Sequence, residues 1–325
     1  MLDTQTPFVS VIMPAYNVDA YIEQAIQSIL NQTYTHFELI ISDDHSHDRT
    51  LECIESFKDN RIVVIKNAHN LGYAGNMNVL FKSAKGEYLI IQDADDYCAV
   101  NRLQVLVDYL ETFRYVDMVG SSYVKVDEKG EEQKTLMSDN LAEIEVAFKA
   151  MVDPLPVLNG SVMFRRKIID AGFFFRDLEY VNRAQDDDWL FRISEKYTLA
   201  NVSDYLYYYR FNPASMTMNL SSINYFSLFS GDYVRFLKKV RMQQGIDLLQ
   251  QGQRKTIEDF FLEKKREITQ QQAAHLEIYV AHKYLSFDKR TQAIKWLIKA
   301  LLKDPGNAFI WKKIVFILLR KRIEA

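Results

Sequence analysis

GEYLIIQDADDYCAVNRL, Gly86 to Leu103, decides how this chain is read. An apolar run, Tyr88 to Ile91, ends in three carboxylates within four residues: Asp93, Asp95 and Asp96. Like charges packed this closely repel unless a cation or fixed donors sit between them. Carboxylates at the carboxyl end of a strand lie where open α/β sheets bind ligands. The stretch therefore proposes a divalent cation and a phosphate-bearing substrate held with it.

Working outward, strands and helices alternate at short spacing. FVSVIM (8–13), Phe37 to Ser42, Arg61 to Ile65 and Tyr88 to Gln92 read as strands. Tyr21 to Leu30, Thr50 to Phe57, Ala74 to Ala84 and Ala99 to Leu110 read as helices. This alternation predicts an α/β fold, with a mostly parallel sheet flanked by helices. Right-handed crossovers bring the strand ends to one edge. That edge gathers Pro14–Asn17, Asp43–Asp48 and Asp93–Asp96. Further on, Asp117 to Val126, Asn159 to Phe164 and Tyr205 to Arg210 read as strands, and Asp139 to Met151 and Trp189 to Glu195 as helices. After Ser222 the chain is almost wholly helical, giving expected domains of 1–220 and 221–325.

Composition is that of a folded protein: 48% hydrophobic against 26% charged, with 11 Gly and 6 Pro in 325 residues. Cys53 and Cys98 lack metal-ligand spacing and suit a reducing compartment as buried small residues. No secretory leader opens the chain, and no run of 18 apolar residues occurs. Residues 289–325 carry ten Lys/Arg against two Asp/Glu, so a net −3 divides into +8 there and −11 in the rest. An acidic body excludes nucleic acid as the main partner and leaves an anionic membrane surface open to the tail. His45, His47 and His69 read as loop residues without a zinc pattern. No dinucleotide fingerprint, phosphate loop or Gly-x-Ser-x-Gly elbow is present.

Several motifs in order resemble the family 2 glycosyltransferases and their nucleotide-sugar-binding GT-A fold. They are SVIMPAYN (10–17), AIQSILNQTY (25–34), FELIISDDHSHDRT (37–50), NLGYAGNMN (70–78) and GEYLIIQDADD (86–96). The resemblance covers about residues 8 to 215. It implies an inverting, metal-dependent enzyme moving a sugar from a UDP-linked donor to a hydroxyl of a glycan or lipid-linked saccharide. Surface-polysaccharide synthesis in the cytoplasm, or at the inner membrane face, is the implied setting. Pro14, Ala15, Tyr16 and Asn17 are then expected around the nucleotide, with Asp43 or Asp44 accepting from the base, and Asn78 nearby. Asp93, Ala94 and Asp95 fill the metal motif called DxD. Asp95, with Asp96 as alternative, is expected to hold Mn²⁺ or Mg²⁺. QDDDW (185–189) resembles the acceptor-side motif, with Gln185 where the family has glutamate. Asp186 falls on the general base and Asp188 is its reserve. YYYRFNPASMT (207–217) is similar to a later element, in which Arg210 is expected to contact the diphosphate or close a loop over it. Two rivals are a nucleotidyltransferase and a non-catalytic nucleotide-binding scaffold of this fold.

Overall fold

The structure, a computed structural model, describes residues 7–136, 148, 156–176, 178, 183–215, 229–271, 274–286 and 289–323. The chain divides into two compact units, one running to Arg210 and one comprising Tyr180–Arg183 with Phe211–Ala325. The expected limit at residue 220 falls outside the described residues, as does the helix expected over 139–151 apart from Phe148.

The first unit is built on a nine-stranded sheet among the described residues. Its parallel part is β3 (Ile62–Lys66), β2 (Phe37–Asp43), β1 (Val9–Ala15) and β4 (Tyr88–Ile91), in that spatial order. β1, β2 and β4 are buried along almost their whole length, as strands with helices on both faces must be. Helix α1 (Ile22–Leu30) covers one face through Ile22, Ala25, Ile26 and Ile29. Helices α2 (Thr50–Ser56) and α3 (Gly72–Ser83) complete the crossovers. The chain steps from β1 to β2 and β3, then returns to place β4 on the other side of β1. Strand order therefore reverses between β1 and β4, the switch point at which open α/β sheets bind ligands. Ala15 pairs with Asp43, and Gln92 N–H donates to the Ile12 carbonyl, so the three expected turns do share one edge.

Beyond β4 the pairing is mixed. After a short β5 (Tyr97–Cys98) and helix α4 (Arg102–Thr112) come β6 (Met118–Val126) and β7 (Glu132–Leu136). Asn159–Ser161 is a 3₁₀ turn, not the start of a strand, and β8 runs only from Met163 to Arg165. The Gly160 carbonyl accepts from Arg102 Nη2, which removes it from any sheet ladder. Helix α5 (Lys167–Asp170) is short. Helix α6 runs from Gln185 to Ser194, starting four residues before Trp189, which puts Asp186 in its first turn. β9 (Leu199–Arg210) pairs with β6 in parallel and, through Tyr207 and Tyr208, with β5 antiparallel. That β5–β9 contact carries Tyr207 to Asp96 across 111 positions of sequence.

The second unit is helical: α7 (Ser230–Gln244), α8 (Arg254–Gln271), α9 (His275–Ser286), α10 (Arg290–Lys303) and α11 (Ala308–Ile323). The charged stretch from Glu258 is helical because Ile257 and Phe261, one turn apart, are buried. Ala281, Ala293, Leu297, Ile310 and Ile314 centre the core of α9 to α11. Among the described residues no helix is long and apolar enough to cross a membrane. Cys53 and Cys98 are both buried and outside any disulfide.

Candidate active site

The edge is latched by backbone and short polar side chains. Asn17 adopts φ 51°, a left-handed conformation that asparagine tolerates better than most residues. Its N–H donates to Ser46 Oγ and its Oδ1 accepts from His47 N–H at 2.8 Å. Asp48 accepts from the N–H groups of Asp19 and Thr50, so it shapes the turn. Pro14 and Ala15 finish β1, and Tyr16 stands 44% exposed at the rim.

Asp43 and Asp44 are both buried, yet their surroundings differ. Asp44 Oδ1 accepts from Asn67 Nδ2 at 2.9 Å and Leu71 N–H at 2.8 Å. Asp43 Oδ2 accepts from Ser46 N–H, whereas its Oδ1 is buried and meets no donor. A buried acceptor left unmatched is costly, and a ligand N–H removes that cost.

Asp93, Asp95 and Asp96 occupy three environments. Asp96 is sealed in: Oδ2 accepts the Tyr207 hydroxyl at 2.6 Å and Oδ1 accepts Arg210 N–H at 2.7 Å. Burial, then the charges of Asp95 and Asp93, push its carboxyl well above the usual range. Asp96, the alternative metal ligand, is thereby an internal brace. Asp93 lies beside the same hydroxyl, 3.3 Å from its Oδ2. Burial and the neighbouring Asp95, with a smaller contribution from Asp186, raise it to about 7. Asp95 is half-buried, and its carbonyl accepts from Arg210 Nε. Ala94 is buried between them.

Asp186, in the first turn of α6, adds its charge to this group. Tyr73 is pushed well above its ordinary value by burial, Asp93, Asp186 and Asp95, which places all four in one electrostatic neighbourhood. Asn159 Nδ2 holds the Tyr73 hydroxyl at 2.8 Å. Ala184, just before α6, sits at φ 62°, a conformation costly for a residue with a Cβ. Asp188 lies on the other side of α6 and is 1% exposed. Arg176 donates to both its oxygens and Arg192 to Oδ2 at 2.9 Å. It anchors the helix and is not available as a reserve base.

Two further expectations change. Arg210 does not reach outward to a diphosphate. Its guanidinium donates to the carbonyls of Asp95 and Glu128 and to Gln24 Oε1, between the rings of Tyr21 and Tyr97. Asn78 exchanges hydrogen bonds with the backbone of Phe175, at 2.9 Å each way, and so ties α3 down. Sequence reasoning missed Tyr73, Tyr207, Arg102 and Gly160. A Cβ on Gly160 would lie 2.5 Å from Asp93 Oδ2 and 2.3 Å from the Tyr207 hydroxyl, so only glycine lets this backbone back the carboxylates.

Among the described residues, no three His, Cys, Asp or Glu side chains form a set that could hold a metal ion alone. The donor chemistry still fits Mg²⁺ or Mn²⁺, which keep waters and bind through one or two carboxylates plus substrate phosphates. The raised Asp93 marks negative charge that a cation would relieve.

A pH dependence follows. Asp93 and Asp96 bind protons more tightly folded than unfolded, so the folded state carries more protons between the two values. Stability of the ligand-free protein should therefore fall as pH rises from about 4 to about 7. For Asp93 alone the upper bound is about 4 kcal/mol. Thermal melts across that window should show the slope, and Asp93→Asn should make it shallower, leaving the contribution of Asp96. A melting temperature that rises with pH in both proteins would contradict this placement.

Comparison with known proteins follows the same lines. The family model "Glycosyl transferase family 2" matches residues 10–173. An uncharacterized glycosyltransferase of Haemophilus influenzae is 31% identical over 218 residues, spanning 63% of this chain and 65% of its own length, just under two thirds. The Escherichia coli UDP-Glc:alpha-D-GlcNAc-diphosphoundecaprenol beta-1,3-glucosyltransferase WfaP is 29% identical over 65% of this chain and 80% of its own. The crystal structure of S. aureus TarS 1–349 with UDP-GlcNAc superposes with TM-score 0.58 at 21% identity, covering 89% of this chain and 79% of that fragment, and so supports the fold. With a family model over half its length and the switch-point carboxylates in place, the chain belongs to glycosyl transferase family 2.

Proposed function

We propose that the chain moves a sugar from a UDP-linked donor to a hydroxyl of a saccharide or lipid-linked saccharide, with inversion. The unit that runs to Arg210 is the transferase domain, and the helical unit that begins at Phe211 is an extension of it. The observation that carries the donor assignment is the unmatched, buried Oδ1 of Asp43 at the switch-point edge. A carboxylate oxygen there accepts from the N3–H of uracil, whereas the N3 of cytosine is an acceptor and would repel it. WfaP, a UDP-Glc enzyme acting on a diphosphoundecaprenol-linked sugar, and the UDP-GlcNAc of TarS support the same donor class.

Tyr16 and the Pro14–Asn17 turn wall the nucleotide. Asp95, with Asp93 behind it, would hold the divalent cation, while Asp96 stays a brace. When bound, that ion neutralises the diphosphate and so eases its departure. Asp186 takes the proton of the acceptor hydroxyl as that oxygen attacks the anomeric carbon opposite the leaving group. Tyr73, held by Asn159, borders the space between Asp93 and Asp186.

Calorimetry tests the donor side. UDP is expected to bind with Mn²⁺ present and at least about tenfold more weakly in EDTA. UDP should exceed CDP by about tenfold or more, since a mismatched buried acceptor costs about 1–3 kcal/mol. Asp43→Asn should erase that preference, because an amide can turn either face to the base. Equal binding of UDP and CDP by the parent protein would remove Asp43 from the base site.

A further inference from the structure

The last two helices carry a surface that the sugar-transfer chemistry does not use. Helix α11 buries Ile310, Ile314 and Ile317 in its own unit. Its other faces set large apolar side chains among lysines and arginines: Phe309, Trp311, Val315, Phe316 and Leu318 are about half exposed or more, Phe316 at 61%. On α10, Ile298 and Leu302 continue the patch, Leu302 at 80% exposure. Large exposed apolar side chains grouped like this mark a surface that something covers. An open groove of about 280 Å³ runs between the two helices. Ile294, Ile317 and Leu318 line it together with Arg290, Thr291 and Lys295.

The charge pattern says what covers it. α10 and α11 together hold nine Lys/Arg and no Asp/Glu. Exposed Lys295 and Lys299 alternate with Ile298 on α10, and exposed Lys312 stands amid the apolar side chains of α11. Lysine is depleted from the cores of protein–protein interfaces. Helices lying in a bilayer interface instead combine Trp, Phe and Leu with Lys and Arg, whose stems reach past the apolar layer to the headgroups. Spanning is excluded for α11: its 16 residues reach about 24 Å, short of the about 30 Å hydrocarbon layer.

We propose that the outer face of α10 and α11 docks in the plane of an anionic phospholipid bilayer. Phe309, Trp311, Phe316, Leu318 and Leu302 enter the headgroup–acyl boundary, and the lysines meet lipid phosphates. Each cation near such a surface contributes about 1 kcal/mol, screened by salt, while the aromatic side chains contribute apolar burial. Both parts are needed, since one weak anchor alone gives only marginal attachment. The proposal deepens the peripheral setting of the lipid-linked acceptor reading, yet vesicle binding is measured without substrate, so the two can fail separately.

The test is co-sedimentation of the full chain with vesicles of phosphatidylcholine containing about one third phosphatidylglycerol, against phosphatidylcholine alone. Binding is expected to the first, with at least about tenfold weaker partition to the second and release at high salt. Phe316→Ser with Leu318→Ser, and separately Lys295→Glu with Lys299→Glu, should each weaken partition about tenfold or more. Both pairs lie on exposed faces, so UDP binding and melting temperature should hold, which separates lost docking from lost folding. Undiminished vesicle binding by both variants would overturn the proposal, as would no preference for the anionic vesicles. If the parent chain ignores vesicles but is dimeric by light scattering, and Phe316→Ser with Leu318→Ser makes it monomeric, a second copy covers this face instead.

Discussion

Asp186→Asn lowers the rate of sugar transfer by about 10²-fold or more while leaving UDP bound. An amide has the shape of the carboxylate but cannot take the acceptor proton. Asp186 is among the charges that raise Asp93, so its removal makes the site less crowded with negative charge and should, if anything, favour the diphosphate-side carboxylates. The loss must then appear in kcat and not in nucleotide affinity. Asp95→Asn gives the converse, with metal-dependent UDP affinity lost first. Asp188→Asn supplies the control, because it strands Arg176 and Arg192 in a buried setting, and breaking such a pair costs about 3–5 kcal/mol. It should inactivate by unfolding. Steady-state kinetics with UDP calorimetry and a melt on each variant separate the three. Equal loss of UDP affinity in Asp186→Asn and Asp95→Asn would end the division of roles.

The parallel half of the sheet was readable because its strands are buried on both faces, which shows as short apolar runs ending in polar turns. The edge that collects Asn17, Asp43 and Asp93 follows from that alternation alone. Choosing between adjacent acids was not readable, because the choice is made by groups far away in sequence. Asp96 is sealed by Tyr207 and Arg210 through the β5–β9 pairing, and neither strand end announces that partner. Asp44 is claimed by Leu71 N–H, a backbone donor with no signature of its own. Asp186 and Asp188 are two positions apart on a helix, hence about 200° apart around its axis, so one faces the site and the other the core. The earlier start of α6 was needed to see this. Tyr73 and Gly160 carry no local mark of function. One signal was present and unused: Arg102 falls on the same helical stripe as Leu106 and Leu110.

Arg102 is expected to be the most costly single side chain to remove from the site's support. It is fully buried. Nη1 donates to Gln92 Oε1 at 2.7 Å, and Nη2 to the carbonyls of Ile91 at 2.9 Å and Gly160 at 2.7 Å. Its guanidinium lies 4.8 Å from the centre of the Tyr207 ring. One side chain thus joins the end of β4, the Gly160 turn and the tyrosine that braces Asp96. Arg102→Met keeps most of the packed volume, so the cavity contribution is small and the lost hydrogen bonds decide the outcome. Three buried acceptors lose their donor, and each costs about 1–3 kcal/mol. The expected loss is about 3–5 kcal/mol, on the order of 10 °C in melting temperature for a domain of this size. A second consequence separates this from ordinary destabilisation. Arg102 is a positive charge that lowers Asp93, so its removal leaves Asp93 more readily protonated at neutral pH. Metal-dependent UDP binding should then weaken and recover partly at higher pH, at a temperature where the variant is still folded. Arg102→Lys keeps the charge but cannot span the three acceptors from one planar fork, so it should restore the pH profile more than the stability. Denaturant unfolding and UDP titration at two pH values read the two effects. A variant losing under about 1 kcal/mol, with unchanged pH dependence, would show that the methionine packing outweighs the missing donors.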